Sequence, residues 1–242
     1  MTPRPYPDTP APRAIEENIY RSIKAVILSG RLSPGTRLPE TRIAPLFGVT
    51  RERLRKVLHR LGHEHLLRIV PNVGAVVPAP SLDRARELFD ARRVLEAGIG
   101  ACLCERITDD DIRRLERHVD EEEDIAAAGD RPRFILASSR FHQTLAGLLD
   151  NPLVSAQLDE LLAKSALFSA FHDPEHGSAC SCREHRRIVD SLARRDIADV
   201  HEAVVAHLSL IETRLRPVPP DAPRTDAVTA LRAHLATEPI RP

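Results

Sequence analysis

Residues 48–67 read GVTRERLRKVLHRLGHEHLL, and the reading of this stretch decides what the first third of the chain is. Leu54, Val57, Leu58 and Leu61 recur at three- and four-residue steps behind Thr50, a residue suited to an N-cap, so the spacing predicts an amphipathic helix with an apolar inner stripe. Its outer face is dense in arginine. A charged outer face is by itself ordinary solvated surface, and its neighbours in the sequence give this one meaning. Upstream, Ile15, Ile19, Ile23 and Val26–Ile27 form one stripe of a helix over about Ala14–Ser29, ended by Gly30. After the turn LSPGTRLPE, Pro39 opens a short helix that stops at Gly48; Pro45 inside it should kink or shorten it. Downstream, LLRIVPNVGAVVPAP (66–80) holds two short runs of Ile, Leu and Val hinged on Pro71-Asn72-Val73-Gly74, which reads as a β-hairpin. Three helices followed by a hairpin make a winged helix-turn-helix over residues 14–78, behind an N-terminal tail of residues 1–13.

Charge supports a polyanion partner for this segment alone. The whole chain balances 35 Lys+Arg against 35 Asp+Glu, yet residues 1–78 hold 13 basic and 6 acidic side chains, a surplus of +7 that the remainder cancels. The 242 residues are 42% hydrophobic and 29% charged, a globular rather than a disordered composition. No run approaches the roughly 20 apolar residues of a membrane span, and the opening MTPRPYPDTPAPR lacks the apolar core of a secretion signal. Four cysteines do not make a disulfide framework, so a cytoplasmic protein is expected.

Pro78 and Pro80 mark a linker, beyond which the pattern is helical to about Leu215. Ser81 is placed to cap a helix through roughly Arg106, and Thr108 to cap DDDIRRLERHVDEEEDIAAAG, whose leading acids suit a helix N-terminus. Further helices are expected over about Arg133–Leu149, from Asn151-Pro152 to about Phe171, over Cys182–Arg194 and over Ile197–Leu215, with HDPEHGSACS (172–181) as a loop. The fold class is therefore mainly α: a winged helix-turn-helix, then an all-α bundle of about six helices over residues 79–216. A Pro-rich tail follows over residues 217–242, with a turn or two of amphipathic helix around Ala227–Leu235.

The segment ILSGRLSPGTRLPETRIAPLFGVTRERLRKVLHRL followed by VGAVV resembles the GntR family of bacterial transcriptional regulators. The helical remainder, with ARRVLEAG, FHQTL, DNPLV and EHRRIVDSLARRD in order, resembles the FadR-type C-terminal ligand-binding (FCD) domain; together the two cover about residues 14–215. In a helix-turn-helix the first residues of the second helix reach base edges while basic side chains hold phosphates. Thr50, Arg51, Glu52, Arg53 and Arg55 occupy that first turn and a half, with Arg51 and Arg55 on one face. Gly74 at the hairpin tip would let backbone approach a groove. The resemblance implies Thr50, Arg51 and Arg55 as DNA contacts, with Arg53 and Arg42 as further candidates. Arg53 and Val57 stand where the family usually has proline and a small residue, and Thr41 then Arg42 follow Glu40 where an arginine usually comes directly.

In the helical part, three histidines fall on inward stripes of three helices: His142 with Ser138, Leu145 and Leu149; His185 with Ile188–Val189 and Leu192; His207 with Val200, Val204 and Ile211. Converging, they would make a facial metal site with open positions; singly, each reads as an ordinary hydrogen-bonded core residue. The family resemblance implies a divalent metal on an Asp and three His at matching places. Here Ser138 stands in place of the Asp, and zinc on the three histidines is the expectation. Arg92 falls on the stripe of Leu88–Phe89, Leu95–Glu96 and Ile99, whereas Arg93 points outward. A buried arginine needs an anion. Glu96, one turn on, can supply it internally, and the resemblance adds that an arginine at this place meets a carboxylate effector beside the metal.

Cys102 and Cys104 face different ways and read as packing residues. HDPEHGSACSCREH places His172, His176, Cys180 and Cys182 near His185, a soft-metal or redox cluster or a polar loop with incidental thiols. Two functions compete. One is a repressor bound as a homodimer to palindromic double-stranded operator DNA and released by a small organic acid, with no enzymatic activity and no membrane partner. The other is a metal-dependent hydrolase using the three histidines, against which no candidate general base shares their stripes and the basic N-terminal third goes unused.

Overall fold

Apolar stripes at helical spacing become ten α-helices among the described residues of a computed structural model, which describes residues 12–173, 178–217 and 225–238. Helix α1 spans Pro12–Leu28, strand β1 Arg37–Leu38, helix α2 Glu40–Ile43, helix α3 Arg51–His63, and strands β2 and β3 Arg68–Val70 and Gly74–Val76. Pro45 does what its ring requires: α2 stops at Ile43, and a 3₁₀ turn over Ala44–Phe47 takes the chain to Gly48 at φ +61°. Thr50 caps α3, its Oγ1 accepting from Arg53 N at 3.3 Å. The wing is one strand richer than the hairpin reading, because β1 pairs antiparallel with β3 to give the order β1-β3-β2. Two residues at an Arg-Leu step are too short to leave a periodic signal.

The bundle follows with α4 (Ala85–Cys104), α5 (Asp109–Ala127), α6 (Arg131–Gly147), α7 (Pro152–His172), α8 (Ser178–Arg194) and α9 (Ile197–Arg214). Thr108 and Asp111 form a reciprocal capping box on α5. Asn151 Oδ1 accepts from Leu153 N and Val154 N on α7. Ser81 does not cap: its hydroxyl bonds Asp83, and a 3₁₀ turn over Leu82–Arg84 precedes α4. The HDPEHGSACS loop is shorter than expected, since α8 already begins at Ser178; residues 174–177 lie outside the described residues. Gly100 on α4 faces α9 so closely that a Cβ would stand 2.4 Å from Val200 Cγ1, which sets how near those two helices come.

Two apolar cores result. One, around Phe89, Leu115, Val119, Phe141, Leu192 and Leu208, lies inside the bundle. The other gathers Ile19, Ile23, Ile27, Leu54, Leu58 and Leu61 from the winged helix, but also Ala166, Leu167 and Ala170 from α7. It takes in Ala227, Val228 and Leu231 of a tenth helix, α10 (Ala227–Thr237), which packs on α1, α2 and β1. The stretch read as a Pro-rich tail thus returns to the winged helix. Asp226 caps α10, Thr225 bridges to Leu32, and Arg42 lies 3.8 Å from Asp226. No described helix is long and apolar enough to cross a membrane.

Candidate metal and effector site, and the DNA-facing helix

Helices α6, α8 and α9 bring His142, His185 and His207 together in the bundle interior, all buried. His207 Nε2 lies 3.2 Å from His185 Nε2 and 3.2 Å from His142 Nε2. Behind each ring stands a carboxylate. His185 Nδ1 meets Glu122 Oε2 at 2.7 Å and His207 Nδ1 meets Glu184 Oε2 at 2.8 Å, while His142 Nδ1 makes a close ion-pair contact with Glu96 Oε2, off the hydrogen-bond direction. Phe141 stacks on His185 at 4.1 Å and holds its plane.

This arrangement fits a metal ion. A carboxylate beside Nδ1 draws the ring proton to that nitrogen, so the lone pair sits on Nε2. Three Nε2 lone pairs then face one another, which is unfavourable unless a cation sits among them. A tetrahedral ion with metal–nitrogen bonds of about 2.0–2.1 Å separates its ligand nitrogens by about 3.3 Å, close to the 3.2 Å seen here. Burial, the largest influence, lowers the pKa of His142 to about 4 and that of His207 well below the ordinary histidine value, which keeps both neutral and able to ligate. Burial would raise Glu96 and Glu122, but Arg92 and His142 for the first, and His185 and His118 for the second, outweigh it and hold both near 2. Burial raises Glu184, with Arg214 partly offsetting it.

Arg92 is buried beside the cluster. Its Nε donates to Glu96 Oε1 at 2.7 Å and its Nη1 to Ser165 Oγ at 2.8 Å, while Nη2 has no partner. Glu96 therefore joins the arginine to His142 rather than serving the arginine alone. A cavity of about 60 Å³ opens here, lined by Arg92, Ser138, His142, Arg131 and Arg214 among others. Ser138 occupies its wall, one helical turn before His142. Arg93 departs from its outward placement: it is half-buried and donates to Asp90 and to Glu212, tying α4 to α9.

Several partners escaped the sequence reading. Glu122 shares a buried stripe with Leu115 and Val119, a signal that was available, and Glu184 immediately precedes His185. The sequence offered no general base on the histidines' own stripes; the structure adds three carboxylates behind the rings, Glu96, Glu122 and Glu184. They lie on the Nδ1 side, away from the convergent nitrogens, where they orient rings rather than take a proton from bound water. Of the cysteine cluster, Cys182 is buried with its thiol pushed up to about 12 by burial, and the histidine group that could hold a metal does not include it. His172 bonds Arg216 O and Pro80 O instead; His176 and the side chain of Cys180 lie outside the described residues. Cys104 is buried, whereas Cys102 is exposed rather than packed.

On the winged helix, Thr50 as N-cap and Arg51 and Arg55 on the first half of α3 lie exposed, while Arg53 between them is half-buried. Arg55 Nε and Nη2 grip both oxygens of Glu40 at 2.7–3.1 Å, and Arg53 Nε lies 3.5 Å from Glu16 Oε1. Gly74 sits at φ +94° with nothing within 4 Å of where a Cβ would be, an opening only glycine fills without strain.

Comparison with known proteins gives two family matches: "Bacterial regulatory proteins, gntR family" over residues 15–77, and "FCD domain" over residues 87–210, about half the chain. Among curated relatives, the HTH-type transcriptional repressor RspR of Escherichia coli K12 is 24% identical over 209 residues, covering 84% of this chain and 90% of the relative. The HTH-type transcriptional repressor NanR of Cronobacter sakazakii is 25% identical over 224 residues, covering 83% and 85%. A crystal structure of a GntR regulator from Rhodococcus sp. RHA1 superposes with a TM-score of 0.68 at 21% identity, over 82% of this chain and 95% of that one, a likeness of fold. These relatives are regulators, and the hydrolase reading finds no support among them.

Proposed function

The chain belongs to the GntR family of bacterial transcriptional regulators, with an FCD domain behind the winged helix, and from that premise we propose a cytoplasmic, homodimeric repressor of a palindromic operator, released by a small organic acid bound beside a zinc ion. The observation that carries the reading is the convergence of three buried histidine nitrogens, one of them on His142, which lines the same cavity as Arg92, whose Nη2 has no partner.

His142, His185 and His207 would hold the ion, which when bound offers a Lewis-acidic seat for an effector oxygen. Glu96, Glu122 and Glu184 keep the three rings aimed. Arg92, fixed by Glu96 and Ser165, presents Nη2 to the acid's carboxylate, and Ser138 offers a hydroxyl in the same cavity. On the winged helix, Thr50, Arg51, Arg53 and Arg55 with Arg42 and Gly74 form the DNA-contacting set, Arg51 being the guanidinium best placed to read a base.

The two ends communicate through Arg131. It lines the cavity, and its Nη2 donates to the carbonyls of Ser169, Ala170 and Asp173 at the end of α7. At that same end α7 meets Gly30, where α1 terminates: a Cβ on Gly30 would lie 2.7 Å from Ala170 O and 3.4 Å from Arg131 Nη1. An acid that moves the cavity wall therefore moves the seat of the winged helix, which is the differential interaction that regulation requires.

Elemental analysis of purified protein, dialysed without chelator, should find near-stoichiometric metal; metal-free protein overturns the metal part. A gel shift with DNA from upstream of the protein's own gene should show salt-sensitive, specific retardation. Its absence, with and without metal, overturns the regulator part.

A further inference from the structure

Arg92 is not the sole cavity-lining cation with a buried donor that lacks a hydrogen-bond partner. Arg214, at the end of α9, lines the same space. Its Nη2 donates to Ser181 Oγ at 3.2 Å, but its Nε is buried without a hydrogen-bond partner. Among the described residues the nearest carboxylates fall short of hydrogen bonds: Asp173 Oδ2 is 3.9 Å from Nε, and Glu184 Oε1 is 3.7 Å from Nη1. Glu184 is committed to His207. Among the described residues, the lining contains three guanidinium groups, Arg92, Arg131 and Arg214, against a single carboxylate, Asp173. Buried N–H groups without acceptors are costly, and a ligand with one carboxylate satisfies Arg92 while leaving Arg214 as it is.

We infer that the effector is a short diacid, one carboxylate taken by Arg92 Nη2 and the second by Arg214 Nε, so that Arg214 selects for two acid groups. The inference rests on the carboxylate-effector reading given above. Size agrees: the cavity of about 60 Å³ holds some four to six water positions at roughly 10–15 Å³ each, the scale of a three- or four-carbon acid. Ser138, Ser139 and Ser165 supply hydroxyl partners for a hydroxyl on the carbon between the acid groups.

The test is titration calorimetry on the full chain, metal-free and zinc-loaded, with two pairs of three-carbon acids: malonate against propionate, and tartronate against lactate. The diacid of each pair should bind at least tenfold tighter. Arg214→Gln should collapse that ratio by bringing the diacids down to the monoacids, while Arg92→Gln abolishes binding of all four. Arg214→Lys keeps the charge without the Nε donor and should also lose the ratio, and a thermal melt of each variant establishes that it folds. Equal affinities within each pair overturn the diacid inference and leave the carboxylate reading standing. A diacid preference that appears only with zinc and survives Arg214→Gln is chelation and overturns the role of Arg214. If none of the four acids binds in either state, both the inference and the reading beneath it fall.

Discussion

Arg55 of the recognition helix is held by Glu40 in a two-pronged bond, Nε and Nη2 each donating to the carboxylate at 2.7–3.1 Å. The pair fixes the guanidinium in one orientation before DNA arrives, leaving Arg51 as the uncommitted arginine on that face. Replacing Glu40 by Gln frees Arg55 to follow any phosphate. Nonspecific DNA binding should rise several-fold while the ratio of operator to nonspecific affinity falls, measured by competition gel shifts at two salt concentrations. An unchanged ratio would show that the clamp does not contribute to specificity.

The same pair predicts a pH dependence. The hydrogen bond from Arg55, partly offset by burial, holds the Glu40 carboxyl below its ordinary value of 4.5. A depressed carboxyl stabilises the fold above the unfolded value and loses that contribution as pH falls through the lower folded value. Melting temperature should therefore drop more between pH 5 and pH 3 in the parent than in Glu40→Gln, and parallel curves would refute the assignment.

Glu122→Gln tests whether the carboxylates behind the histidines aim them. Glutamine keeps the size but accepts the Nδ1 proton less strongly, and the expected loss in zinc affinity is about 10–100-fold. Competition against a chelator of known affinity reads it out. Affinity unchanged within twofold would make Glu122 a packing residue.

Gly30 and Gly35 form a matched pair for the seat between the winged helix and the bundle. Both have left-handed φ, +70° and +82°, but only Gly30 faces Ala170 O, while Gly35 has nothing within 4 Å. Gly35→Ala should cost the left-handed conformational penalty of about 1–2 kcal/mol, and Gly30→Ala should cost that plus about 1–3 kcal/mol for the clash. Beyond stability, Gly30→Ala should weaken the effect of acid on operator binding, which Gly35→Ala leaves intact. Equal melts and equal responses for the two would remove Arg131 and Gly30 from the coupling route.

Leu231 is fully buried on α10 in the core it shares with α1 and α3. Leu231→Ala should cost about 2–5 kcal/mol and lower operator affinity, although the residue is far from α3 in sequence. Denaturant unfolding followed on the winged helix distinguishes this from a loss confined to the bundle.

What sequence reading could reach divides along physical lines. Long periodic helices, the Thr108 capping box and the Asn151-Pro152 start were legible because each depends on residues within one or two turns. The convergence of His142, His185 and His207 was legible as three inward positions, but their common centre belongs to the packing of three helices and needed the family resemblance. Glu122 was overlooked among the acids of DEEED, because a run of like charge hides the one member that falls on the apolar stripe. Arg214 and Arg131 sit at helix ends, where periodicity gives out and only tertiary contacts say which way a side chain turns. The amphipathic turns around Ala227–Leu235 were legible and form α10, but their packing on the winged helix is a contact in space that no local pattern records.

That last segment bears on how such a protein can be cut and recombined. A DNA-reading head whose interior is completed by a helix from 150 residues further along cannot be lifted out at the Pro78–Pro80 linker. A fragment ending there would bare the surfaces of α1, α2 and β1 that α10 covers. A chimera that grafts this head onto another sensor must carry residues 225–238 with it, or supply a substitute for Leu231 in the gap they leave.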